Sequence, residues 1–387
     1  MRSYVNLVLV SLLFFIFVDL VKPLANPFLR GLVARSTITA TVAVISVLNP
    51  FLKDAEGEVA RRIPKSLSNA VRDTPEAWST FNALTLALTV PALAITKPKI
   101  VQQFLDNSPA AQATQSLDQP YGPAALQKLD VYHHPLPHNN LRPVVLFVHG
   151  GAWSHGSKVI FRMVGKQFRE EGFVGVNMNY RRYPNSASVI DQAADVGKAL
   201  IWTRDNIKRF GGDPANIILV GHSSGAHISA LHLLLSENQP ASPPPSAFVS
   251  LCAPFDITNH YEWETSRGVE NISALKPANS FQNRTRAFAE SSPTLIAAAM
   301  TQEELKTRMP PVVHLYHAID DTTVPSMSTS DFYTELESIN TDIKMHLSET
   351  GGHGGILVDF MLGTDTSENS NPTTTIQDII KDVIHIS

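Results

Sequence analysis

The stretch Gly221-His222-Ser223-Ser224-Gly225 reads G-x-S-x-G and joins two segments of different periodicity. Before it, Ile217-Ile218-Leu219-Val220 has the length and branching of a buried strand. After it, Ala226 to Leu235 has the periodicity of a helix. A serine on a sharp turn between strand and helix lifts its hydroxyl clear of the sheet, and the flanking glycines let the backbone turn that tightly. Such a serine suits nucleophilic acyl transfer, in which Ser223 would attack a carbonyl carbon. The reaction needs backbone N–H groups where the oxygen of the tetrahedral intermediate becomes negative. Upstream, the apolar run Pro143 to Val148 ends in His149-Gly150-Gly151-Ala152-Trp153, a glycine-rich turn able to expose such groups. The expected oxyanion donors are the N–H groups of Gly151 and Ala152, with Gly150 in the same turn, and Ser224 directly after the nucleophile.

A serine hydroxyl is a poor nucleophile until a base takes its proton and an acid orients that base. Of the 14 histidines, His353 occupies the glycine loop Gly351-Gly352-His353-Gly354-Gly355, after the last apolar strand pattern. Such a loop can carry an imidazole over a sheet edge without steric conflict. His222 and His227 flank the serine turn and read as packing or pocket-lining residues, while His314 and His346 fall inside strands. For the acid, His317-Ala318-Ile319-Asp320-Asp321-Thr322-Thr323-Val324-Pro325 leaves a strand end with two adjacent carboxylates, Asp320 and Asp321.

These groups meet only if the intervening elements bring them to one sheet edge. Leu126 to Tyr132 alternates as an early, half-exposed strand, and Phe173 to Asn179 reads as another. Lys158 to Glu171 and Val189 to Phe210 read as helices, the second stopped by Gly211-Gly212-Asp213-Pro214. Further strands are expected at Ala247–Cys252, Val312–His317 and Ile343–Leu347. Strands alternating with helices imply an α/β fold with a mostly parallel, doubly wound sheet. Residues 256–310 read as a helical cap or insertion able to wall a substrate pocket. The polar stretch Thr364–Thr375 reads as a loop, and Ile376, Ile379, Ile380, Val383 and Ile384 form a helical stripe docked on the core.

The chain has 387 residues, 43% of them hydrophobic, and can bury a sizeable core. A formal net charge of −4 without a basic block argues against a nucleic-acid partner. Cys252 is the sole cysteine, so no internal disulfide forms, and its place in an apolar strand makes it a core residue. No His/Cys cluster has zinc spacing and no glycine-rich phosphate loop appears, so neither metal nor cofactor is expected.

The organisation expected is a hydrophobic N-terminal helical extension over residues 1–100, a linker over 101–123, and a catalytic domain over 124–387. Leu7–Val18 is apolar apart from Ser11, and Ser36–Leu52 and Ala77–Thr96 lack charge altogether. They read as membrane segments, the first also fitting a signal sequence, with a soluble helical subdomain as the alternative. Lys and Arg on the two sides of such spans are balanced and give no orientation. Gln102–Pro123, rich in Gln, Ala, Ser and Pro, reads as the linker.

From about Leu126 to Leu362 the chain resembles the esterase/lipase branch of the α/β-hydrolase superfamily. Within it, the chain is similar to isoprenylcysteine methylesterases, with kynurenine formamidases as near relatives. The residues carrying the resemblance are His149-Gly150-Gly151-Ala152-Trp153, Tyr180-Arg181, Phe210-Gly211-Gly212-Asp213-Pro214 and Gly221-His222-Ser223-Ser224-Gly225-Ala226-His227. Ala152 stands where many lipases have a third glycine, and the segment from His260 to Glu270 has no evident role. The resemblance implies a Ser-acid-His order along the chain. It favours Asp321 over Asp320, because Asp321 lies three residues before Val324 in a D-x-x-V-P pattern. It also implies a small lipophilic ester as substrate and attachment to a membrane of the endoplasmic reticulum or Golgi. The formamidase alternative needs a polar partner for an amino-acid end, for which Asp256, Glu262, Glu264 and Arg267 are candidates. A hydrolase fold kept only for binding is the remaining alternative. Oligomeric state is not legible.

Overall fold

The computed structural model describes residues 104–106, 108–135, 140–183, 188–235, 244–266, 275, 284–339, 342–362 and 375–386. The three apolar N-terminal segments and residues 364–374 lie outside these. The sheet and its flanking helices belong to one compact unit, Leu93–Trp263 with Ala274–Ser387.

The strands are β1 (Gln115–Pro120), β2 (Lys128–Tyr132), β3 (Arg142–Val148), β4 (Val174–Met178), β5 (Gly212–His222), β6 (Ala247–Leu251), β7 (Val312–Ala318) and β8 (Asp342–Ser348). They form one sheet in the order β1-β2-β4-β3-β5-β6-β7-β8. β1 with β2 and β2 with β4 pair antiparallel, and every other pair is parallel. β4 and β6 are buried along their whole length, as are the apolar stretches of β3 and β5, which is why they appear in the sequence as near-continuous apolar runs.

The helices are α1 (Arg162–Glu170), α2 (Val189–Asn206), α3 (Ser224–Leu234), α4 (Ile257–Ser266), α5 (Arg284–Glu290), α6 (Pro293–Ala298), α7 (Gln302–Arg308), α8 (Met327–Leu336), α9 (Gly355–Leu362) and α10 (Ile376–Ile386). Alternate residues of β3 divide between two cores. Val144, Leu146 and Val148 face a core shared with α2, α3 and α8, whereas Val145 and Phe147 face one shared with α1, α9 and α10. The sheet is therefore covered on both faces. α10 docks through Ile376, Ile379, Ile380 and Val383, each at most 2% exposed, and each such burial contributes about 1.5–3 kcal/mol. α2 starts in a capping box, with Ser188 Oγ accepting from Asp191 N–H and the Asp191 carboxylate accepting from Ser188 N–H. A short 3₁₀ turn, Ile207–Phe210, follows it and closes on Gly211 at φ +79°.

Two expectations are corrected. Gln115–Pro120, inside the expected linker, is the edge strand β1, so the sheet starts before residue 124. Its hold on the sheet is polar. Asp118 N–H donates to Asp130 at 2.8 Å, and Lys158 Nζ bridges Asp130 at 2.5 Å and Asp118 at 2.9 Å. The register shifts between Ser116 and Gln119, and Asp118 sits there at φ +54°. The helix expected from Lys158 starts only at Arg162, because Lys158 to Phe161 form turns that deliver the ammonium group to those carboxylates. The described part of residues 256–310 is helical, as expected, and supplies α4 to α7. Among the described residues no helix is long and apolar enough to cross a membrane.

Candidate active site

Ser223 stands at the turn from β5 into α3 with φ +53° and ψ −126°, a backbone conformation that L-residues avoid. Neighbouring backbone holds it there: Ser223 N–H donates to the Leu251 carbonyl of β6 at 2.8 Å. The motif glycines are demanded by contact. A Cβ on Gly225 would lie 2.2 Å from Val148 O, and one on Gly221 would lie 2.4 Å from Ala226 Cα. The turn thus presses α3 directly onto the end of β3.

His353 comes from the loop after β8, and Asp321 from the loop after β7. His353 Nε2 is 2.8 Å from Ser223 Oγ, and His353 Nδ1 is 2.7 Å from Asp321 Oδ2. The three expected residues are therefore brought together in hydrogen-bonding order. Gly351 and Gly352, at φ +137° and +57°, make the turn that points the imidazole back over the sheet. His222 Nε2–H donates to the His353 carbonyl at 2.8 Å and fixes the same loop from the Ser223 side. Burial takes the His222 ring down to about 3, so it does this as a neutral imidazole.

Asp321 and Asp320 separate by what they touch. Asp321 Oδ1 accepts from the N–H groups of Thr323 at 2.8 Å and Val324 at 3.0 Å, leaving Oδ2 for His353. Asp320 instead accepts from Gly352 N–H at 2.7 Å, bracing the loop that carries His353. Burial works against the Asp321 charge. His353 beside it, with hydrogen bonds from His317, His353 and Val324 N–H, outweighs burial and holds the carboxyl well below the usual carboxylate range.

The glycine turn after β3 lies beside the serine. A Cβ on Gly150 would fall 2.9 Å from Ser223 Cβ and 2.7 Å from His222 Nδ1. The Gly151 carbonyl accepts from the N–H groups of Ser154 and His155, and Ala152 and Trp153 follow at φ +47° and +60°. Trp153 is pinned by its indole N–H, which donates to His227 Nδ1 at 3.0 Å, while His227 Nε2–H donates to Ser291 O at 2.7 Å. Among the described residues, none accepts from the N–H groups of Gly151, Ala152 or Ser224. His149 is a packing residue, stacked on Tyr180 at 4.7 Å, with its carbonyl accepting from the Tyr180 hydroxyl at 3.1 Å.

Reading by motif misses His317. It is fully buried at the end of β7, with Nε2 3.3 Å from Asp321 Oδ2. The available signal was a polar residue closing an apolar strand four positions before Asp321. Cys252, His317 and Asp321 each offer a metal-ligating atom, and these lie within 4.8 Å of one another. Both ring nitrogens of His317 are engaged by Thr329 and Val324, and Asp321 is engaged by His353, so the cluster is knit by its own hydrogen bonds. Of the polar candidates in the insertion, Asp256 spends Oδ1 on the N–H groups of Thr258 and Asn259 and caps α4. Arg267 lies outside the described residues.

A mostly parallel eight-stranded sheet of this order, with a strained serine at the turn from a central strand into a helix, defines an α/β-hydrolase. Esterase B from Lactobacillus rhamnosis, solved with an inhibitor, shares the fold with a TM-score of 0.57 at 15% identity, covering 78% of this chain and 96% of that one. The family described as BD-FAE matches residues 129–336, more than half of the chain. The chain belongs to the BD-FAE family. Among curated proteins, the isoprenylcysteine alpha-carbonyl methylesterase ICME of Arabidopsis thaliana is 28% identical over 240 residues, 59% of this chain and 53% of that one. Esterase LipQ of Mycobacterium tuberculosis is 32% identical over 240 residues, 58% of this chain and 53% of that one. The chain spans about half the length of these relatives.

Proposed function

We propose that this chain is a serine carboxylic ester hydrolase in which Ser223 is the nucleophile, His353 the general base and Asp321 the acid that orients it. The observation that carries the reading is the relay from Ser223 Oγ to His353 Nε2 at 2.8 Å and from His353 Nδ1 to Asp321 at 2.7 Å. As Oγ bonds to the ester carbonyl carbon, its proton passes to Nε2, and the ionised Asp321 stabilises the resulting imidazolium. The carbonyl oxygen becomes the oxyanion and takes the free N–H groups of Gly151, Ala152 and Ser224. Collapse of the intermediate expels the alcohol, which takes the proton back from His353. Water then adds to the acyl-enzyme by the same route and releases the acid.

The substrate in this reading is a small lipophilic ester, a prenylcysteine methyl ester, met at a membrane to which the N-terminal apolar segments attach the chain. The endoplasmic reticulum or Golgi is the location proposed. Two features support this: similarity to ICME, and the uncharged runs Ser36–Leu52 and Ala77–Thr96. A lipophilic ester partitions into a bilayer, where an attached hydrolase would meet it.

The test is turnover of a p-nitrophenyl ester by the wild type and Ser223→Ala. Loss of at least about a thousandfold in kcat is expected, and near wild-type turnover would overturn the assignment. Comparing kcat/KM for farnesylcysteine methyl ester and N-formylkynurenine tests the substrate, and preference for the formamide would replace the ester. Full-length chain found wholly in the soluble fraction without detergent would refute attachment.

A further inference from the structure

We propose that His317 is a positioning residue for this reaction, a second imidazole behind the triad that locks the Asp321 carboxylate and shares its charge with His353. The inference rests on the serine-hydrolase reading above. His317 Nε2 lies 2.9 Å from Val324 O and 3.3 Å from Asp321 Oδ2. A carbonyl only accepts, so Nε2 carries the proton and its N–H forks between the two oxygens. In the neutral ring Nδ1 then accepts from the Thr329 hydroxyl at 2.7 Å, and Thr329 is itself fully buried.

Packing alone does not call for an imidazole here. The neighbouring strand residues Val313, Leu315 and Ala318 are fully buried and apolar, and a histidine among them loses its hydration. What the ring supplies is an N–H that donates to Val324 O at 2.9 Å and faces the triad carboxylate at 3.3 Å. With Thr323 N–H and Val324 N–H on Oδ1, and the two imidazoles on Oδ2, the carboxylate cannot rotate about its Cβ–Cγ bond without breaking a bond on either oxygen. Removing His317 leaves Oδ2 with His353 as its one imidazole donor and Val324 O without its N–H. The plane of the acid, and with it the angle of His353 toward Ser223, is then less constrained.

Sharing also sets how strongly Asp321 acts on the base. One donor fewer on Oδ2 concentrates its charge on His353 and favours the imidazolium form. The acid limb of kcat/KM, which reports the base, should then move to higher pH. The other titratable groups packed around this pair are Cys252, Asp320 and His222, and all three are retained in the variants below.

The experiment measures kcat, KM and the pH profile on p-nitrophenyl butyrate for the full chain, His317→Leu and His317→Gln. For the Leu variant, kcat should fall about 10- to 100-fold at little changed KM, with the acid limb raised by about half a pH unit. The Gln variant keeps an N–H donor on a side chain of similar reach and should stay within about fivefold of wild type. A folded Leu variant with wild-type kcat and an unmoved limb overturns the proposal, as does a Gln variant that falls as far as Leu. Should His317→Leu not fold, Thr329→Val loosens the ring from its other side. It removes the hydroxyl that holds Nδ1 and with it the tilt of the ring whose Nε2–H faces Asp321, and an unmoved kcat and limb in that variant overturn the role equally. Wild-type chain without Ser223-dependent turnover sinks the hydrolase reading and this inference together. Intact wild-type turnover with those unmoved profiles sinks the inference alone.

Discussion

Asp321→Asn changes one atom and should cost about four orders of magnitude. Oδ1 of residue 321 is tied by the N–H groups of Thr323 and Val324, so the amide of an asparagine must keep its oxygen on that side. Its NH₂ then faces His353 Nδ1 and His317 Nε2. A donor facing Nδ1 forces the His353 proton onto Nε2, where it meets the Ser223 hydroxyl and leaves no lone pair to accept that proton. Flipping the amide instead sets NH₂ against two backbone N–H groups, so neither orientation rescues the base. The wrong tautomer and the lost charge together correspond to about 10⁴ in kcat, or about 5.5 kcal/mol. The unsatisfied contact with His317 should lower stability by about 1–3 kcal/mol. Asp320→Asn keeps an oxygen for Gly352 N–H and should remain within a few-fold of wild type. Steady-state turnover of a p-nitrophenyl ester by the two variants, with urea melts to verify folding, measures both effects. Asp321→Asn within tenfold of wild type, or a larger loss in Asp320→Asn, would refute the reasoning.

In Gly225→Ala the new methyl would meet Val148 O at 2.2 Å and His149 O at 2.4 Å, so α3 must shift from β3. A loss of about 3 kcal/mol is expected with at least a hundredfold in kcat, read by urea melts and turnover. Lys158→Met strands the Asp130 carboxylate, which is 1% exposed, and should cost about 3 kcal/mol in the same melts. Stability should also fall with acid. Burial takes His149, His155, His222 and His227 each down to about 3, so unfolding binds protons between that value and the ordinary 6.5. Their contribution is complete above 6.5 and declines as pH drops toward 3, by roughly 1 kcal/mol per ring at pH 5.5. Equal urea midpoints at pH 5.5 and 7.5 would contradict this.

The parallel strands were legible because burial on both faces writes them as apolar runs, as in Val144–Val148, Ile217–Val220 and Ala247–Leu251. The serine turn was legible because close contacts at Gly221 and Gly225 exclude any side chain. β1 was not, since Gln-Ser-Leu-Asp-Gln-Pro has no apolar pattern and is held by Lys158, far along the chain. Asp321 was favoured over Asp320 only through the D-x-x-V-P resemblance; what lies beneath that spacing is turn geometry, Thr323 and Val324 N–H on Oδ1, which the residue types alone do not encode. His317 stayed hidden for a related reason: its partners, Val324 and Thr329, come from a loop and a helix whose positions depend on the finished fold.

Among the described residues β1 closes one side of the sheet, and its outer rim is poorly suited to growth. An exposed strand edge normally invites a second molecule to add its own strand, the first step toward fibrous aggregates. Here Asp118 at positive φ breaks the register, and Lys158 pulls its carboxylate toward β2. Pro120, two residues on, has no N–H to donate. An incoming strand would find neither a straight backbone nor an unbroken row of donors and acceptors. The polar anchor that ties β1 down thus also acts as a stop against polymerisation.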